Sequence, residues 1–326
     1  MKDRNNWALV GTGGITNRFL EGLRATRGHV VAAVSRSRER AQDFALRNGI
    51  DKAYDFDQML EDTSVDVVYI GTPHTTHKDL AVRALRAKKA VLCEKPCAIN
   101  AGELRVMLRT ARENNCFFME ALWSRFLPPL VKVREWLSCG RIGEVKMIQA
   151  NFGFSAPFDP QNRLFNPELG GGALLDVGVY PLSFISMVFG GQKPQKIISQ
   201  LFMGETGVDE EAALILNYGG PRIACAAAAI RTQLENDAWI YGTQGRIHLP
   251  NFFWAHTATL LRDDTDVCRY EPEFVSNGYN YQAEEVMKCL GEGKTESAVM
   301  PWDESLVIME TMDAIRAQWN FKYPSE

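Results

Sequence analysis

The chain of 326 residues lacks the usual marks of secreted, metal-binding and nucleic-acid-binding proteins. Its seven cysteines are an odd number without a CxxC pair, which favours reduced thiols over a disulfide framework. Its net charge of -4 provides no basic patch for nucleic acid or for an anionic membrane surface. We therefore expect no nucleic-acid partner and no membrane partner.

Long apolar runs are also missing. The longest, at residues 224–230, is mostly alanine, and no stretch approaches the roughly 18 apolar residues that a membrane helix needs. Near the start of the chain, residues 7–10 are the only apolar run before the first glycines, too short for the core of a signal peptide. The sequence therefore predicts a cytoplasmic location.

The length exceeds what one hydrophobic core usually supports, so we expect two domains, at residues 1–121 and 122–326. Buried strands alternate with amphipathic helices through residue 120, which predicts an α/β domain with a doubly wound parallel sheet. After residue 143, strand-like runs follow one another without helices, which predicts an antiparallel sheet. These runs are residues 145–154, 196–203, 212–218, 223–231 and 238–241.

A glycine turn follows the first strand-like run. Residues 11–16, GTGGIT, stand between an apolar strand and a helical stretch, which is the order of a dinucleotide-binding unit. Gly11 permits the tight turn, Gly13 lets a pyrophosphate approach the backbone, and the helix start supplies N–H donors. Thr16 occupies the position of the usual third glycine, so the match is partial. A second buried strand at residues 30–34 favours a cofactor site over a plain structural turn.

The end of this second strand indicates which dinucleotide is bound. NAD enzymes usually carry an Asp or Glu there for the ribose hydroxyls, but this chain has Ser35 and Arg36. No carboxylate is present to repel a 2′-phosphate, and the planar guanidinium of arginine suits phosphate. A solvated basic helix start is the alternative, which we favour for Arg38 and Arg40 only. The pattern predicts NADP as the cofactor.

The strand at residues 65–70 ends in the segment GTPHTTH, which includes Thr72, His74 and His77. Its small residues and proline leave backbone groups available near a cofactor, while loop polarity and helix capping are the alternatives. No acidic or cysteine partner stands at ligand spacing from the two histidines. We therefore expect no metal site here.

Lys95 follows Lys89, the apolar residues 90–93 and Glu94. In a doubly wound parallel sheet the carboxyl ends of the strands form the ligand crevice, so a lysine there faces cofactor and substrate. Pro96 disfavours helical conformation in the residue before it, so Lys95 is expected to be extended. The alternative is a buried strand that ends in a solvated Glu-Lys pair.

Two segments of the second domain attract attention. Residues 170–180, GGGALLDVGVY, place Asp176 and Tyr180 one turn apart on one face if the chain is helical from Gly172. The alternative is a helix start that Asp176 caps and a tyrosine that fills the core. In residues 223–231 one sheet face would be nearly bare of bulk, which is typical of a dimer surface, and a covering helix is the alternative.

Taken in order, the segments GTGGIT, GTPHTTH, CEKP and GGGALLDVGVY resemble those of the Gfo/Idh/MocA oxidoreductases, and the resemblance extends along nearly the whole chain. The segments MEALWSRFLP, LLDVGVYPLSFISMVFGGQKP and ETGVD resemble the branch of this family that oxidises dihydrodiols and xylose with NADP. The resemblance implies a Rossmann domain followed by an α+β domain with a large open-faced, mainly antiparallel sheet. It also implies a homodimer formed through that C-terminal sheet.

The implied reaction is hydride transfer between NADP and a secondary alcohol of a trans-dihydrodiol or of a pyranose such as D-xylose. Lys95 and Tyr180 would be the catalytic pair, with Asp176 beside them. The residues expected to bind the cofactor are Gly11, Thr12, Gly13, Gly14, Ile15, Ser35, Arg36, Thr72, His74, His77, Glu94 and Lys95. Those expected to bind the small-molecule substrate are Trp123, Arg125, Phe154 and Trp254.

Two other functions stay open at the level of sequence. The first is a sugar oxidoreductase that keeps its cofactor tightly bound and recycles it. The second is a non-catalytic protein that senses NADP(H), against which the retention of Lys95, Asp176 and Tyr180 argues, because a sensor needs no proton relay.

Overall fold

The structure is a computed structural model that describes residues 4–263 and 265–326. It divides into two compact units. The first contains the described residues up to Ala98, with Gly102–Trp123 and Phe274–Trp302. The second contains Ile99–Ala101, the described part of Ser124–Glu273, and Asp303–Glu326. Each unit is therefore formed from separate segments of the chain, whereas the sequence predicts a single boundary after residue 121.

The first unit is built on a parallel sheet with the strand order β3-β2-β1-β4-β5-β6. Its strands are β1 (Asn6–Val10), β2 (His29–Val34), β3 (Lys52–Tyr54), β4 (Val67–Ile70), β5 (Ala90–Glu94) and β6 (Phe118–Ala121). The order reverses between β1 and β4, which places the ligand crevice of such a sheet outside the carboxyl ends of these strands. The Rossmann-type sheet predicted from the alternation of strands and helices is confirmed.

Helices follow most of these strands and continue through the chain. They are α1 (Gly14–Arg24), α2 (Arg38–Asn48), α3 (Phe56–Glu61), α4 (His77–Arg86), α5 (Ala101–Asn114), α6 (Pro128–Ser138), α7 (Val179–Val188), α8 (Tyr279–Gly291) and α9 (Trp302–Gln318). The sequence predicts α2 and α5 with these same bounds, because each has a clear apolar stripe and a distinct start.

Helix α8 comes from late in the chain but packs on α1 of the first unit. The side-chain amide of Asn277 donates a 2.8 Å hydrogen bond to the carbonyl of Arg18. A Cβ at Gly22 would lie 2.8 Å from the backbone nitrogen of Asn280, so the two segments approach within backbone contact distance. This packing explains why Phe274–Trp302 belong to the first unit.

The second unit contains an eight-stranded sheet in the order β14-β13-β12-β11-β7-β10-β9-β8. Its strands are β7 (Val145–Gly153), β8 (Lys196–Met203), β9 (Asp209–Asn217), β10 (Ile223–Ala229), β11 (Ala238–Gly242), β12 (Gly245–Leu249), β13 (Ala258–Arg262) and β14 (Thr265–Tyr270). Neighbouring strands are antiparallel except β10 and β7, which are parallel. The mainly antiparallel sheet is confirmed, whereas β12 to β14 are not among the predicted strands.

The two faces of β10 have different surroundings. Ala224, Ala226 and Ala228 are buried on one face, and a Cβ at Gly178 would lie 3.4 Å from the Cβ of Ala228. A helical segment therefore covers the alanine face, and small side chains there allow its close approach. Residues 225 and 227 point to the opposite face and are only partly buried.

By length and composition, the segment Pro167–Val188 is apolar enough to cross a membrane. Glycines and Asp176 interrupt this segment, so it contains no long continuous apolar run. However, 89% of its apolar window is buried inside the protein, which is the burial expected of a core helix.

Candidate active site

The glycine turn between β1 and α1 brings two backbone segments together. Gly11 has a φ of +105°, and a Cβ there would lie 2.6 Å from the carbonyl oxygen of Gly71, the residue after β4. Thr16, which takes the place of the usual third glycine, is fully buried. Its Oγ1 would lie 2.8 Å from a Cβ at Gly71. The close contact between α1 and the end of β4 is therefore made possible by Gly71 rather than by a glycine at position 16.

The start of α1 provides what a pyrophosphate needs. Gly13 is the N-cap residue in extended conformation, and no described side chain caps the helix. A Cβ at Gly13 or Gly14 would meet no atom within 4 Å, so the space around this turn is open. Thr12 and Ile15 are partly buried in the same turn. The first N–H groups of α1 can thus donate to an anion, as in other dinucleotide sites.

The end of β2 has no acidic side chain. The Oγ of Ser35 accepts a 3.3 Å hydrogen bond from the N–H of Ser37, which in turn caps α2 by accepting from Arg40. Arg36 is exposed and makes no ion pair with any residue that the structure describes. The hydroxyl of Ser35 and the guanidinium of Arg36 are thus the polar groups at this strand end that a cofactor could contact.

The loop after β4 is held to the loop after β5 through His77. This ring is fully buried, with Nε2 2.8 Å from the carbonyl oxygen of Thr72 and Nδ1 3.0 Å from that of Pro96. A neutral imidazole has one N–H, so it donates to one of these carbonyls at a time. The edge of the His74 ring faces it at 5.8 Å between ring centres. The expected contact of His77 with the cofactor stays a prediction, and its observed contacts are with the backbone.

The segment that carries Lys95 is hydrogen-bonded from several sides within the first unit. The hydroxyl of Tyr69 donates 2.8 Å to Glu94 Oε1, and the N–H of Lys95 donates 3.3 Å to Glu94 Oε2. The N–H of Cys97 donates 3.1 Å to the buried carboxylate of Glu120. Lys95 is partly buried directly after β5, and its bond to Pro96 is cis. The turn is therefore fixed by two carboxylates and by His77.

Of the four expected substrate residues, Trp123 is buried in the first unit. Its ring stacks on Tyr279 with 4.4 Å between centres and 13° between planes. Tyr279 begins α8, so this stack ties the end of the first unit's sheet to the late segment. The predicted contact of Trp123 with substrate is not tested by this packing.

Arg125 lies in the second unit and is 1% exposed. Its Nη2 donates 2.6 Å to Glu304 and 2.7 Å to the carbonyl of Ser183, and its Nε donates 2.7 Å to the Ser183 hydroxyl. Burial raises the pKa of Glu304, but the hydrogen bond and charge of Arg125 outweigh it and hold that pKa below its usual value. The structure thus gives Arg125 a structural ion pair, and its role in substrate binding stays a prediction.

Asp176 and Tyr180 lie on a helical segment of unusual geometry. Leu174–Gly178 form a π-helical turn, and α7 continues from Val179. The spacing of Asp176 and Tyr180 by one turn was expected only if the chain is helical from Gly172, and the wider π-helical turn changes the spacing of side chains around the axis. Short π-helical turns within α-helices are frequent at functional sites.

Asp176 is buried and has a partner that the sequence analysis missed. Arg163 Nη1 donates 2.8 Å to Asp176 Oδ1, although 54% of the Arg163 side chain is exposed. A buried carboxylate needs such a cation or donor, because desolvation otherwise disfavours its charge. Arg163 precedes Asp176 by thirteen positions, and this spacing gives no sequence signal for the pair.

The phenol ring of Tyr180 is 7% exposed and sits among aromatic rings of the second unit. Its edge faces Phe152 at 5.3 Å and Phe253 at 6.0 Å, and these two rings stack on each other at 3.9 Å. Phe154 is partly buried and 6.3 Å from Phe152, and Trp254 is 46% exposed. Phe253 was not predicted, although it belongs to the aromatic run before Trp254.

A search of the described residues finds no group of three His, Cys, Asp or Glu side chains arranged to hold a metal ion. His74 and His77 lie near each other, but the second is engaged by backbone carbonyls.

Comparison with known families places both units in one class. Residues 5–122 match the oxidoreductase family with an NAD-binding Rossmann fold, and residues 130–248 match the GFO/IDH/MocA C-terminal domain. The fold and the glycine turn thus define an oxidoreductase built on a dinucleotide-binding sheet. The chain belongs to the Gfo/Idh/MocA oxidoreductase family, as the sequence resemblance predicts.

Two curated relatives cover almost the whole chain, and both are named trans-1,2-dihydrobenzene-1,2-diol dehydrogenase. The protein from Xenopus laevis is 40% identical over 328 residues, which are 98% of this chain and 99% of the relative. The protein from Homo sapiens is 37% identical over 330 residues, 98% of each.

Solved structures share the fold at lower identity. One is an aldose-aldose oxidoreductase from Caulobacter crescentus complexed with glycerol, with a TM-score of 0.87 and 21% identity over 96% of this chain and 97% of that one. Another is a 3-ketoreductase from Actinomadura kijaniata in complex with NADP and TDP-benzene, with a TM-score of 0.85 and 24% identity over the same shares. These likenesses concern the fold alone.

The packing of His77 has a consequence for stability. Burial lowers the pKa of His77 to about 4, although the carbonyls of Thr72 and Pro96 raise it. In the folded protein the pKa of His77 lies below the ordinary value of about 6.5, so the unfolded chain binds this proton more readily. The free energy of unfolding is therefore unaffected by His77 above pH 6.5 and declines as the pH falls towards 4. We expect the free energy of unfolding to lose up to roughly 3 kcal/mol by this route, at 1.36 kcal/mol per pKa unit.

Denaturant unfolding between pH 7 and pH 4 measures the effect. His77→Gln should lack this part of the pH dependence, whereas His256→Gln, which changes an exposed histidine, should keep the wild-type slope. Equal slopes for the two variants would assign the titration to another group.

Proposed function

We propose that the protein is an NADP-dependent dehydrogenase. The substrate is a secondary alcohol of a trans-dihydrodiol or of a pyranose such as D-xylose. The observation that carries this proposal is the 40% identity, over 98% of the chain, with a trans-1,2-dihydrobenzene-1,2-diol dehydrogenase. It is supported by Lys95 at the end of β5 and by the aromatic surroundings of Tyr180, since arene diols and sugar faces both stack on aromatic rings.

The residues of the first unit fit NADP. The uncapped start of α1 can bind the pyrophosphate, and Ser35 and Arg36 stand where a 2′-phosphate would lie. Thr72, His74 and Glu94 belong to the two neighbouring strand ends and are assigned to the nicotinamide half. When bound, NADP supplies the carbon that accepts hydride.

The protein must therefore remove the hydroxyl proton. We assign this step to Tyr180, which would act as the base in oxidation and as the acid in reduction. A phenol releases its proton readily only if the phenolate is stabilised, and the ammonium of Lys95 is the group assigned to that role. Lys95 would also bind the substrate hydroxyl as a donor.

Asp176 has a supporting role in this scheme. A carboxylate directed at the phenol would oppose formation of the phenolate. Its ion pair with Arg163 opposes that effect, because the guanidinium carries the opposite charge. Because a carboxylate would oppose the phenolate, we assign Asp176 to holding Lys95 or a substrate hydroxyl, with Arg163 as the partner of its carboxylate.

Phe154 and Trp254 are proposed to form the apolar surface for the substrate. Both expose part of their rings, which an arene or a sugar face can cover. Arg125 and Trp123 are also proposed to bind the substrate, and each packs against other side chains of its own unit. A screen of diols and aldoses followed by NADPH absorbance separates the two substrate classes.

We also propose that two copies pair through the sheet of the second unit and that the enzyme is cytoplasmic. The face opposite the helices carries Ile198, Ile215 and Ile223, which are 53%, 46% and 37% exposed. Ile198 pairs with Ile215 across β8 and β9, so these side chains form a continuous apolar patch. Exposed patches of this kind mark interaction surfaces.

Changing Tyr180 to Phe tests the proton step. Tyr180→Phe keeps the ring packing against Phe152 but removes the hydroxyl, so kcat should fall by about 10²-fold or more while NADP still binds. Lys95→Met should lose as much, and the double variant little more, since members of one relay are not additive. Tyr218→Phe, a buried tyrosine packed on Phe189, is the matched control and should keep kcat. A near-normal kcat and pH profile in Tyr180→Phe would transfer the base role to Lys95.

Changing Arg36 to Ala tests the cofactor preference. A charge-assisted contact with phosphate contributes roughly 1.5–3 kcal/mol, so the Kd for NADP should rise about ten- to a hundredfold. The Kd for NAD should change little, because NAD lacks that phosphate. Arg38→Ala, one step into α2, is the control. Equal losses for both cofactors in Arg36→Ala would refute the assignment.

A charge on the open sheet face tests the assembly. Ala227 points to this face, whereas Ala226 is covered, so Ala227→Arg should leave the fold intact and separate the copies. Light scattering should give the mass of one chain for this variant and of two for the wild type. Gln161→Arg, on an exposed loop, should remain dimeric. A wild-type protein that is monomeric at micromolar concentration would contradict the proposal.

A further inference from the structure

A buried carboxylate from another part of the second unit meets the start of the Asp176 helix. Asp209 is the first residue of β9 and is fully buried. Its Oδ2 accepts a 2.6 Å hydrogen bond from the N–H of Leu174, the first residue of the π-helical turn. A helix start leaves such N–H groups without a partner in the helix, and here a distant strand supplies the acceptor.

The glycine run before this helix is shaped by the same carboxylate. Gly172 has a φ of +115°, and a Cβ there would lie 2.3 Å from Asp209 Oδ1. Any other residue at 172 would therefore displace the carboxylate as well as strain the backbone. On the other side, the hydroxyl of Tyr323 donates 2.7 Å to the carbonyl of Gly171. The start of the helix is thus fixed by two side chains that lie far away in sequence.

The environment of Asp209 is unfavourable for a charge. Its Oδ1 is buried without a hydrogen-bond partner among the described residues. Burial raises the pKa of Asp209 to about 7, while the N–H of Leu174 and the charge of Arg316 lower it. A neutral acceptor could also bind the Leu174 N–H without the cost of desolvating a carboxylate. Stability alone therefore does not account for an acid at this position.

We propose that Asp209 is a positioning residue that fixes the π-helical turn and so sets the direction of Asp176 and Tyr180. This inference rests on the proposed role of Tyr180. A carboxylate accepts a hydrogen bond about twice as strongly as a neutral group, so it holds the helix start more firmly than an amide would. Catalytic groups lose rate steeply with displacement, by about 10²-fold for 1 Å.

The test compares Asp209→Asn and Asp209→Ala with Glu210→Gln, which alters the next acid on the same strand, a residue paired instead with Arg231. All are measured at pH 8, where the wild-type carboxylate is ionised. Hydrogen exchange of residues 174–180 should quicken in the order wild type, Asn, Ala, and stay normal in Glu210→Gln. The kcat of Asp209→Ala should fall at least about tenfold, with Asn intermediate and the Kd for NADP within about twofold of wild type.

The possible results separate the two claims. If no diol or sugar is oxidised by the wild type, the proposed function fails, and exchange alone decides whether Asp209 fixes the turn. Wild-type exchange in both Asp209 variants would overturn the inference, as would faster exchange with unchanged kcat. If Asp209→Ala does not fold, Asp209→Asn against Glu210→Gln decides: an Asn variant that matches wild type in exchange and kcat would overturn it. A parallel fall in NADP affinity would indicate a general structural defect and would also overturn it.

Discussion

The main constraint on the first unit is that the short turn after β5, at the carboxyl ends of the parallel strands, has to be held in place. A strand end has backbone groups without partners in the ladder, and a buried turn cannot leave them to water. The protein meets this need with side chains from three neighbours: Glu94 beside the turn, Glu120 from β6 and His77 from the start of α4. These contacts hold the backbone around Lys95 in place.

The second unit meets a related problem with charges. Arg125 with Glu304 and Arg163 with Asp176 each place a carboxylate of low exposure against a guanidinium. The first pair is almost fully enclosed, so removing either partner would leave an isolated buried charge, which is strongly destabilising. The second pair has an exposed arginine, so it fixes the direction of Asp176 at less cost. The same kind of ion pair thus stabilises the packing around Arg125 and orients the carboxylate of Asp176.

Much of the first unit could be predicted from sequence because its signals are local. Apolar strands, a glycine turn and clear helix starts recur at short spacing, and α2 and α5 have the expected bounds. The strands β12 to β14 were not predicted, and in β12, Gly245–Leu249, an arginine and a histidine interrupt the apolar residues. Their place in the sheet comes from pairing with neighbours, which periodicity does not encode.

The site was harder to predict where it depends on distant partners. The sequence motifs indicated Lys95, Asp176 and Tyr180 as site residues. They gave no sign of Arg163 or Phe253. These act through an ion pair and a ring stack that only the folded chain brings together. The π-helical turn was also beyond reach, because a helix with one extra residue per turn has no distinctive composition. Thr16 makes the match to the glycine pattern partial. The glycine that allows the close contact instead is Gly71, which lies 55 residues away.

The late segment that carries α8 has a consequence for synthesis on the ribosome. The chain emerges from its N-terminus, and domains generally fold as they appear. Here the surface of α1 around Gly22 stays uncovered until Asn277 and Asn280 have been made, after the sheet of the second unit. The Rossmann unit is thus begun first and completed almost last, so this flank of α1 stays open while most of the chain is translated.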